Sequence, residues 1–263
     1  MSGRVHVAGV GLYATDYPDL GAWSRGAAQP GCEPAGELID RRARRRTSAL
    51  TRALADAYGE ALGASGFAAD EVAAVFGSAL GEAATMIGIL DQIYGGKNVS
   101  PMRFAMSVHN AASGVVSTTT KNRGITTSIG ADFDTPAMAL IEGIGLVAAH
   151  EVPVVVVCGD EQAPDDLVQG LDLSWDMLAV ALVLAPATGG GDGPLLRVHA
   201  RTPEGAALCA LEDEQPPRAV SARLARSPQV GLLDVVAALQ RGQGGYVRLD
   251  RGRGRGYVAE LLL

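Results

Sequence analysis

The spacing of hydrophobic positions changes repeatedly along the chain, and each change predicts a new element. Continuous apolar runs at 152–159 (VPVVVVCG) and 178–187 (LAVALVLAPA) predict strands buried on both faces of a sheet. Leu50, Leu54 and Leu62 recur at helical spacing before two glycines, which predicts an amphipathic helix over 38–63. Further strands are predicted at 4–14, 72–77, 125–131 and 195–201, and further helices at 81–95, 101–120, 134–150 and 231–242.

The segments between these elements are rich in glycine, proline or charge. We predict loop at 17–36, irregular structure at 204–228, and a strand, glycine loop and strand over the last residues from 246 to 263. Strands alternate with helices throughout, so the sequence predicts an α/β layered fold. No linker interrupts the pattern, and a single domain is expected.

Composition narrows the class of protein. The chain has 263 residues, 48% apolar and 19% charged, which is typical of a compact globule. No apolar run approaches the ~20 residues of a membrane-spanning helix, and no leader pattern is visible, so we expect a cytoplasmic protein without a membrane span. The net charge of −7 argues against nucleic acid as a partner. Three cysteines and four scattered histidines give no metal-ligand spacing, and no metal site is expected.

Glycines at the end of the first strand are the first candidate site. Gly9 and Gly11 fit a loose dinucleotide fingerprint, but that fingerprint needs a helix to open at once and hold a pyrophosphate. Asp16 and Pro18 follow instead, and they are typical of turns. A structural glycine turn is therefore favoured over cofactor binding.

Cys158 and His109 are the side chains that could act as nucleophile and base. Cys158 precedes Asp160 and Glu161, whose charges disfavour a thiolate, so a buried core cysteine is the preferred interpretation. His109 lies within SVHNAASG, where a structural histidine beside a helix of small residues is favoured over a catalytic base.

A basic block stands out in the acidic chain. It comprises Arg41, Arg42, Arg44, Arg45 and Arg46, and it overlaps the predicted start of the helix at 38–63. Such a run is usually a solvated face. Arginines at a helix start oppose the helix dipole, however, and that cost points to an external anionic partner.

Several segments together resemble the β-ketoacyl synthases. They are the basic helix segment 39–62, VFGSALGE at 75–82, SVHNAASGVVS at 107–117, VVVVCGDEQ at 154–162 and RGITTSIGADFD at 123–134. In the family the last segment ends in Thr-Ala-Cys-Ser, and the alignment without gaps places Phe133 at the nucleophilic cysteine. A benzyl side chain offers no nucleophile, so the resemblance implies no catalytic residue at this position.

The second half departs further from the family pattern. The two histidine motifs of the family are absent from residues 200–263, although 231–242 and 246–263 resemble its small helix and closing strands. We therefore expect a single thiolase-like domain over 1–263, with an N-terminal half over 1–200 and a truncated C-terminal half over 201–263.

The pattern resembles the shortened chain-length-factor partners of ketosynthases in aryl polyene pathways. That resemblance implies a heterodimer with an active ketosynthase, joined through the strand 125–131, and a role in fatty-acid or polyketide chain elongation. Phe133 would plug the vestigial pocket, and the expected tunnel-lining residues are Met102, Met106, His109, Asn110, Ser113 and Phe133. The expected docking residues for an acyl carrier protein are Arg41, Arg42, Arg44 and Arg45. No cofactor is expected, because substrates arrive on the carrier's phosphopantetheine.

Two alternatives stay open at this stage. An autonomous acyl-thioester transferase or hydrolase could use Cys158, His109 or the pair Asp132 and Asp134 as acid and base. Asp134 has a simpler interpretation as the N-cap of the helix at 134–150. A homo-oligomeric scaffold with a degenerate fold is the third hypothesis.

Overall fold

The structure is a computed structural model that describes residues 3–167, 174–187, 193–200 and 219–263. In this part of the chain the strands are β1 (Val5–Ala14), β2 (Ala73–Gly77), β3 (Thr126–Ile129), β4 (Val154–Asp160), β5 (Leu178–Pro186), β6 (Leu195–His199), β7 (Gly245–Arg248) and β8 (Val258–Leu262). The helices are α1 (Leu20–Ser24), α2 (Arg41–Arg44), α3 (Ala49–Ser65), α4 (Ala83–Tyr94), α5 (Pro101–Ala105), α6 (Ala111–Thr120), α7 (Thr135–His150) and α8 (Val230–Gln240).

The strands of the described residues form one eight-stranded sheet in the order β3-β2-β4-β5-β1-β6-β8-β7. Strands β2, β3 and β4 run parallel, and the remaining pairs are antiparallel. The carboxyl ends of the three parallel strands therefore lie side by side at one end of the sheet. β6 joins β1 to β8, so the last strands of the chain extend the same sheet.

Helices cover both faces of the sheet, and strand β4 shows how the sequence divides between them. Its residues are all buried, and the first four are valine. Val155 and Val157 face the core under α3, whereas Val154 and Val156 face the core under α7 and α8. This two-sided burial explains why the run is uniformly apolar instead of alternating, and it confirms the predicted α/β layered fold.

Gly9 and Gly11 lie inside β1 and serve helix packing. A Cβ built on Gly9 would be 2.2 Å from the carbonyl oxygen of Ala61, and one on Gly11 would be 2.1 Å from that of Ala57. Only glycine lets α3 approach this strand so closely. The predicted glycine turn is wrong, because β1 continues to Ala14 and α1 begins only at Leu20.

Three helical boundaries differ from the prediction. The single helix expected over 38–63 is two helices, because Ser48 accepts the Thr51 amide and caps a new helix, α3. The helix expected over 101–120 ends at Ala105 and starts again at Ala111. The loop predicted at 17–36 contains the short α1, which Asp19 caps.

The structure can be compared with the predictions for the last part of the chain at residues 193–200 and 219–263. Strand 195–199, the helix 230–240 and the two closing strands are found as predicted. Residues 201–218, which include most of the predicted irregular segment, lie outside the described residues. The division into a complete half and a truncated half stays a prediction.

Candidate functional site

A buried carboxylate organises the carboxyl ends of the parallel strands. Asp160, the last residue of β4, accepts the Ser78 hydroxyl at 2.6 Å, the Leu80 and Ala79 amides at 3.0 Å each, and the Gln229 side-chain amide at 2.6 Å. Burial raises the pKa of Asp160, and these four donors act against that effect. Asp160 thus holds the loop after β2 and ties it to the second half. All of its oxygens are engaged in this structural role.

The turn after β3 places Phe133 beside these strand ends. Asp132 has a φ of 52°, a left-handed conformation that aspartate tolerates, and it begins a short 3-10 turn that leads into α7. The Thr135 hydroxyl donates to the Asp132 carbonyl at 2.7 Å and accepts the Ala131 amide at 3.0 Å. Thr135, the first residue of α7, therefore holds the backbone of this turn in place.

The ring of Phe133 is covered by an arginine from the end of the chain. The Arg253 guanidinium lies 4.4 Å from the ring centroid, within the range of a cation–π contact. The same guanidinium donates to the carbonyls of Ala225 at 3.1 Å, Arg226 at 2.6 Å and Ser227 at 3.0 Å. The Arg253 side chain thus links Phe133 to the segment before α8.

The side chain of Phe133 borders an open cavity. The ring is half-buried, whereas the sequence predicted a buried plug. A cavity of about 540 Å³ lies next to it, lined by Ala131, Asp132, Phe133, Asp134, Met138, Arg253, Gly254, Arg255 and Tyr257. No thiol and no imidazole occurs in this lining, so among the described residues the cavity holds neither the nucleophile nor the base of acyl transfer.

The glycine loop that borders the cavity folds around the Asp250 carboxylate. Asp250 accepts the amides of Gly252 at 2.6 Å, Gly254 at 3.1 Å and Gly256 at 2.7 Å. Because these amide groups already have an internal acceptor, they are not free to stabilise the oxyanion of a tetrahedral intermediate.

Asp134 binds another amide of this loop, that of Arg255. Its carboxylate accepts the Arg255 amide at 2.8 Å and lies 3.8 Å from the Arg255 guanidinium. Asp134 stands at the N-cap position of α7 but makes no side-chain hydrogen bond to that helix, so the predicted capping role is wrong. The Asp134 carboxylate binds the Arg255 amide instead of the amides of α7, because the glycine loop packs over the turn after β3.

The residues predicted to line a tunnel lie around α5 and α6. His109 Nε2 donates to the Ser78 carbonyl at 2.9 Å, and the ring lies over the ends of β2 and β3, which agrees with the structural interpretation. Ser113 is buried and accepts the Ser128 hydroxyl of β3 at 3.2 Å. Met102 is 49% exposed, Asn110 is exposed and Met106 is half-buried. Of this set, His109 lies at the carboxyl end of β2, whereas Met106 and Asn110 line a separate pocket between α2 and α6.

Comparison with known proteins decides the family. The model of the β-ketoacyl synthase N-terminal domain matches residues 21–243, which is most of the chain. The chain belongs to this family. None of the curated proteins compared with it matches.

Solved structures of β-ketoacyl synthase complexes share the fold. A chain from the complex of the ketosynthase ApeO with its chain length factor ApeC, from Xenorhabdus doucetiae, has a TM-score of 0.70 and 20% identity, covering 99% of both chains. A chain of the ishigamide ketosynthase/chain length factor has a TM-score of 0.70 and 13% identity, covering 98% of both. A chain of the complex AntDE:AntF, an acyl carrier protein with its ketosynthase, has a TM-score of 0.56 and 18% identity, covering 71% of this chain and 64% of that one. At these identities the likeness shows a thiolase-like ketosynthase fold, as predicted.

The arginine block of this family member forms a helix of its own, α2. Asp40 caps it by accepting the amides of Arg42 at 2.7 Å and Ala43 at 3.2 Å, and these bonds lower the pKa of Asp40. The block therefore precedes α3 and does not occupy its first turn. The expectation that these arginines oppose the dipole of the long helix is wrong. Arg44 donates to the carbonyls of Ile39 at 2.9 Å and Glu37 at 3.2 Å. Arg44 stabilises the loop, whereas Arg41, Arg42, Arg45 and Arg46 are exposed.

Cys158 is a core residue, as the sequence predicted. It is fully buried between β2 and α7, and burial, followed by the charge of Asp160, raises the pKa of the thiol. A thiol that resists ionisation is a poor nucleophile. The structure does not bring Cys158, His109 and Asp134 together as a catalytic set, since each is hydrogen-bonded or buried separately.

Sequence reasoning missed the residues that close the site. Arg253, Asp250 and Gln229 come from distant segments, and no local pattern indicates their partners. The alternating Arg-Gly repeat at 251–256 was the one available signal, because repeated glycines predict a loop with exposed amides. No group of three or more metal-ligating side chains occurs within the described ranges, and none of the helices found there is long and apolar enough to cross a membrane.

Proposed function

We propose that this chain is a non-catalytic, chain-length-factor subunit that pairs with an active β-ketoacyl synthase. Together they would extend carrier-bound acyl chains in fatty-acid or polyketide synthesis of the aryl polyene kind. The observation that carries the proposal is the chemical make-up of the cavity beside Phe133. Its lining has no thiol or imidazole, and the neighbouring loop amides are occupied by Asp250 and Asp134.

An open sheet edge supports the pairing. β3 is the terminal strand, and no described strand pairs with its outer edge. The Ile125 carbonyl accepts the amide of Ala74 in β2, and the Ile129 carbonyl accepts the amide of Ser78 directly after β2. Because backbone groups alternate along a strand, those of Thr126 and Ser128 face the open side. An unpaired edge of this kind is a template for a strand of another chain.

An exposed apolar surface on α4 and α5 also favours a partner. Helices α4 and α5 expose Ile93, Tyr94 and Phe104, whose exposed fractions are 54%, 88% and 60%. Leu90 and Met102 extend the same α4–α5 apolar face. Exposed large side chains on neighbouring helices are typical of a protein interface. Solved relatives include ketosynthases in complex with a chain length factor, so an active ketosynthase is the partner we infer.

In the proposed heterodimer, Met102, Met106, His109, Asn110 and Ser113 line or flank the acyl tunnel of the active partner. The substrate reaches that tunnel on the phosphopantetheine of an acyl carrier protein, and this chain needs no cofactor. Arg41, Arg42 and Arg45 provide the docking surface for the acidic carrier, while Arg44 keeps that surface in place. This charge attraction should weaken with salt.

Co-purification with an active ketosynthase tests the proposal. Ser128→Pro removes an amide that faces the open edge without removing a bond to β2, so we expect it to abolish the one-to-one complex seen by size-exclusion chromatography. Ser128→Ala removes only the hydroxyl and should pair normally. Condensation by the wild-type complex should depend on the partner's cysteine. A chain that stays monomeric, forms only homodimers or turns over a thioester alone would overturn the proposal.

A further inference from the structure

The imidazole of His109 occupies a slot between the loops that follow β2 and β3. Its Nε2 lies 2.9 Å from the Ser78 carbonyl oxygen, and because a carbonyl only accepts, Nε2 carries the proton. In the neutral ring Nδ1 is then the bare nitrogen. A Cβ built on Gly81 would lie 3.1 Å from Cδ2 of the ring, and one built on Gly130 would lie 3.0 Å from Nε2. The two loops therefore confine the ring as well as bond it.

Buried groups hold the Ser78 carbonyl in place. The Ser78 hydroxyl donates to Asp160 at 2.6 Å and accepts the Gly81 amide at 2.8 Å. The side-chain amide of Gln229 donates to the same carboxylate at 2.6 Å. A chain of hydrogen bonds thus runs from Gln229, in the segment before α8, through Asp160 and Ser78 to the ring of His109.

This chain of bonds begins in the core and ends at the surface. Ser78 is 4% exposed, and Asp160 and Gln229 are fully buried, whereas His109 is exposed. Hydrogen bonds are stronger in the low dielectric of the interior, so such a network holds its members in one arrangement. Groups that do not reach the surface therefore fix an imidazole that does.

We propose that Asp160 and Gln229 are positioning residues that act through Ser78 to fix the ring of His109 at the wall of the acyl tunnel. The inference rests on the proposed function, in which His109 lines or flanks the tunnel of the active partner. It adds that the segment before α8 controls this wall without touching the acyl chain. A loosely held side chain in a binding site lowers its selectivity, so weakening the network should change the length of the product.

Two substitutions each remove one bond of the network and leave the Ser78 carbonyl in the chain. Ser78→Ala removes the hydroxyl, and Gln229→Leu removes the amide donor. Thr51→Val is the matched control, because the Thr51 hydroxyl also donates to a buried carboxylate, that of Glu82, at 2.7 Å. The other hydrogen bonds of that carboxylate lead to α3 and α4 and not to His109.

The first measurement is ¹⁵N NMR of the histidine ring nitrogens in the purified chain, with His109→Gln to identify the His109 signals. We expect wild type and Thr51→Val to show separate signals for a protonated Nε2 and a bare Nδ1. In Ser78→Ala and Gln229→Leu the ring should exchange between its tautomers, so the two signals should move towards a common average. Separate signals in every variant would overturn the positioning role.

The second measurement is the product profile of the heterodimer with an active ketosynthase and carrier-bound substrates. We expect Ser78→Ala and Gln229→Leu to lower the share of full-length product by about threefold, whereas Thr51→Val leaves it unchanged. Altered ring signals with an unaltered product profile would overturn the link between the network and the tunnel. Failure of the wild-type chain to pair would instead overturn the proposed function, and the ring signals would still test the network in the free chain.

Discussion

The guanidinium of Arg253 lies 4.4 Å from the centre of the Phe133 ring, although the two residues are far apart in the sequence. Arg253 also donates to three consecutive carbonyls at 225–227. Phe133 is therefore part of a structural contact between the turn after β3, the glycine loop and the segment before α8.

Arg253→Ala should destabilise the fold. It removes the contact with Phe133 and leaves three carbonyls without their donor, so we expect the free energy of unfolding to fall by roughly 1–2 kcal/mol. Urea denaturation measures the change. Arg255→Ala is the control, because that side chain is 84% exposed and its ion pair with Asp134 is long. Equal stabilities of the two variants would contradict a structural role for Arg253.

Phe133→Cys should give a reactive thiol without catalysis. The neighbouring Arg253 would favour the thiolate, so we expect iodoacetamide to label Cys introduced at this position faster than buried Cys158. Condensation should still be absent, because the amides of the loop remain bound to Asp250 and Asp134. Mass spectrometry of the labelled protein and an assay with carrier-bound substrates check both parts. Condensation by the variant alone would show that the site is intact apart from its nucleophile.

Glu161 should make stability depend on pH. Burial, then the charges of Glu82 and Asp160, raise the pKa of Glu161 to about 7, although its carboxylate accepts the Ala84 amide. In the unfolded chain the pKa of a glutamate is about 4.3. Between these values the folded state binds more protons at Glu161, so the contribution of this residue to stability decreases as pH rises from about 4.5 to about 7.

Glu161→Gln removes this titration. The variant should be more stable than wild type at pH 8, and the difference should shrink toward pH 5, as measured by urea denaturation at each pH. Glu33→Gln is the control, because the Glu33 side chain is 81% exposed. A difference that stays constant across this pH range would rule out Glu161 as the titrating group.

Changing the α4–α5 apolar face should separate pairing from folding. Ile93→Glu with Tyr94→Glu places charges on side chains that are already exposed, so the stability of the free chain should change by less than about 0.5 kcal/mol. We expect at least a tenfold loss of affinity for the active ketosynthase, measured by surface plasmon resonance. Ile141→Glu is the control, because Ile141 is an exposed apolar residue of a different helix, α7. Equal losses for both changes would argue against this face as the interface.

The sheet could be predicted from sequence to a large extent, whereas the breaks in its helices could not. Valine-rich runs such as 154–157 have one stable environment, a sheet covered on both faces, and they fix the strands. The break before α3 depends on the Ser48 hydroxyl, which bonds Glu82 at 2.6 Å as well as the Thr51 amide. That tertiary contact is invisible in the local pattern.

At the candidate site, too, local sequence predicts some features and tertiary contacts determine the others. Phe133 was identified from the order of motifs around it, because the turn after β3 is local in sequence. The carboxylates and the arginine that close the site depend on residues brought together from β4, α7 and the final loop. Hydrogen-bond partners at such separations follow from the packed fold and not from composition or periodicity.

The position of β1 in the sheet has a consequence for biosynthesis. This first strand lies between β5 and β6, and Val5 aligns with Pro186 and Leu196. During translation β1 therefore cannot pair with both neighbouring strands until nearly all of the first 200 residues have left the ribosome. Such non-local pairing slows folding and lengthens the time in which nascent chains aggregate. The yield of this protein in a cell should consequently respond to chaperone supply and to the speed of translation.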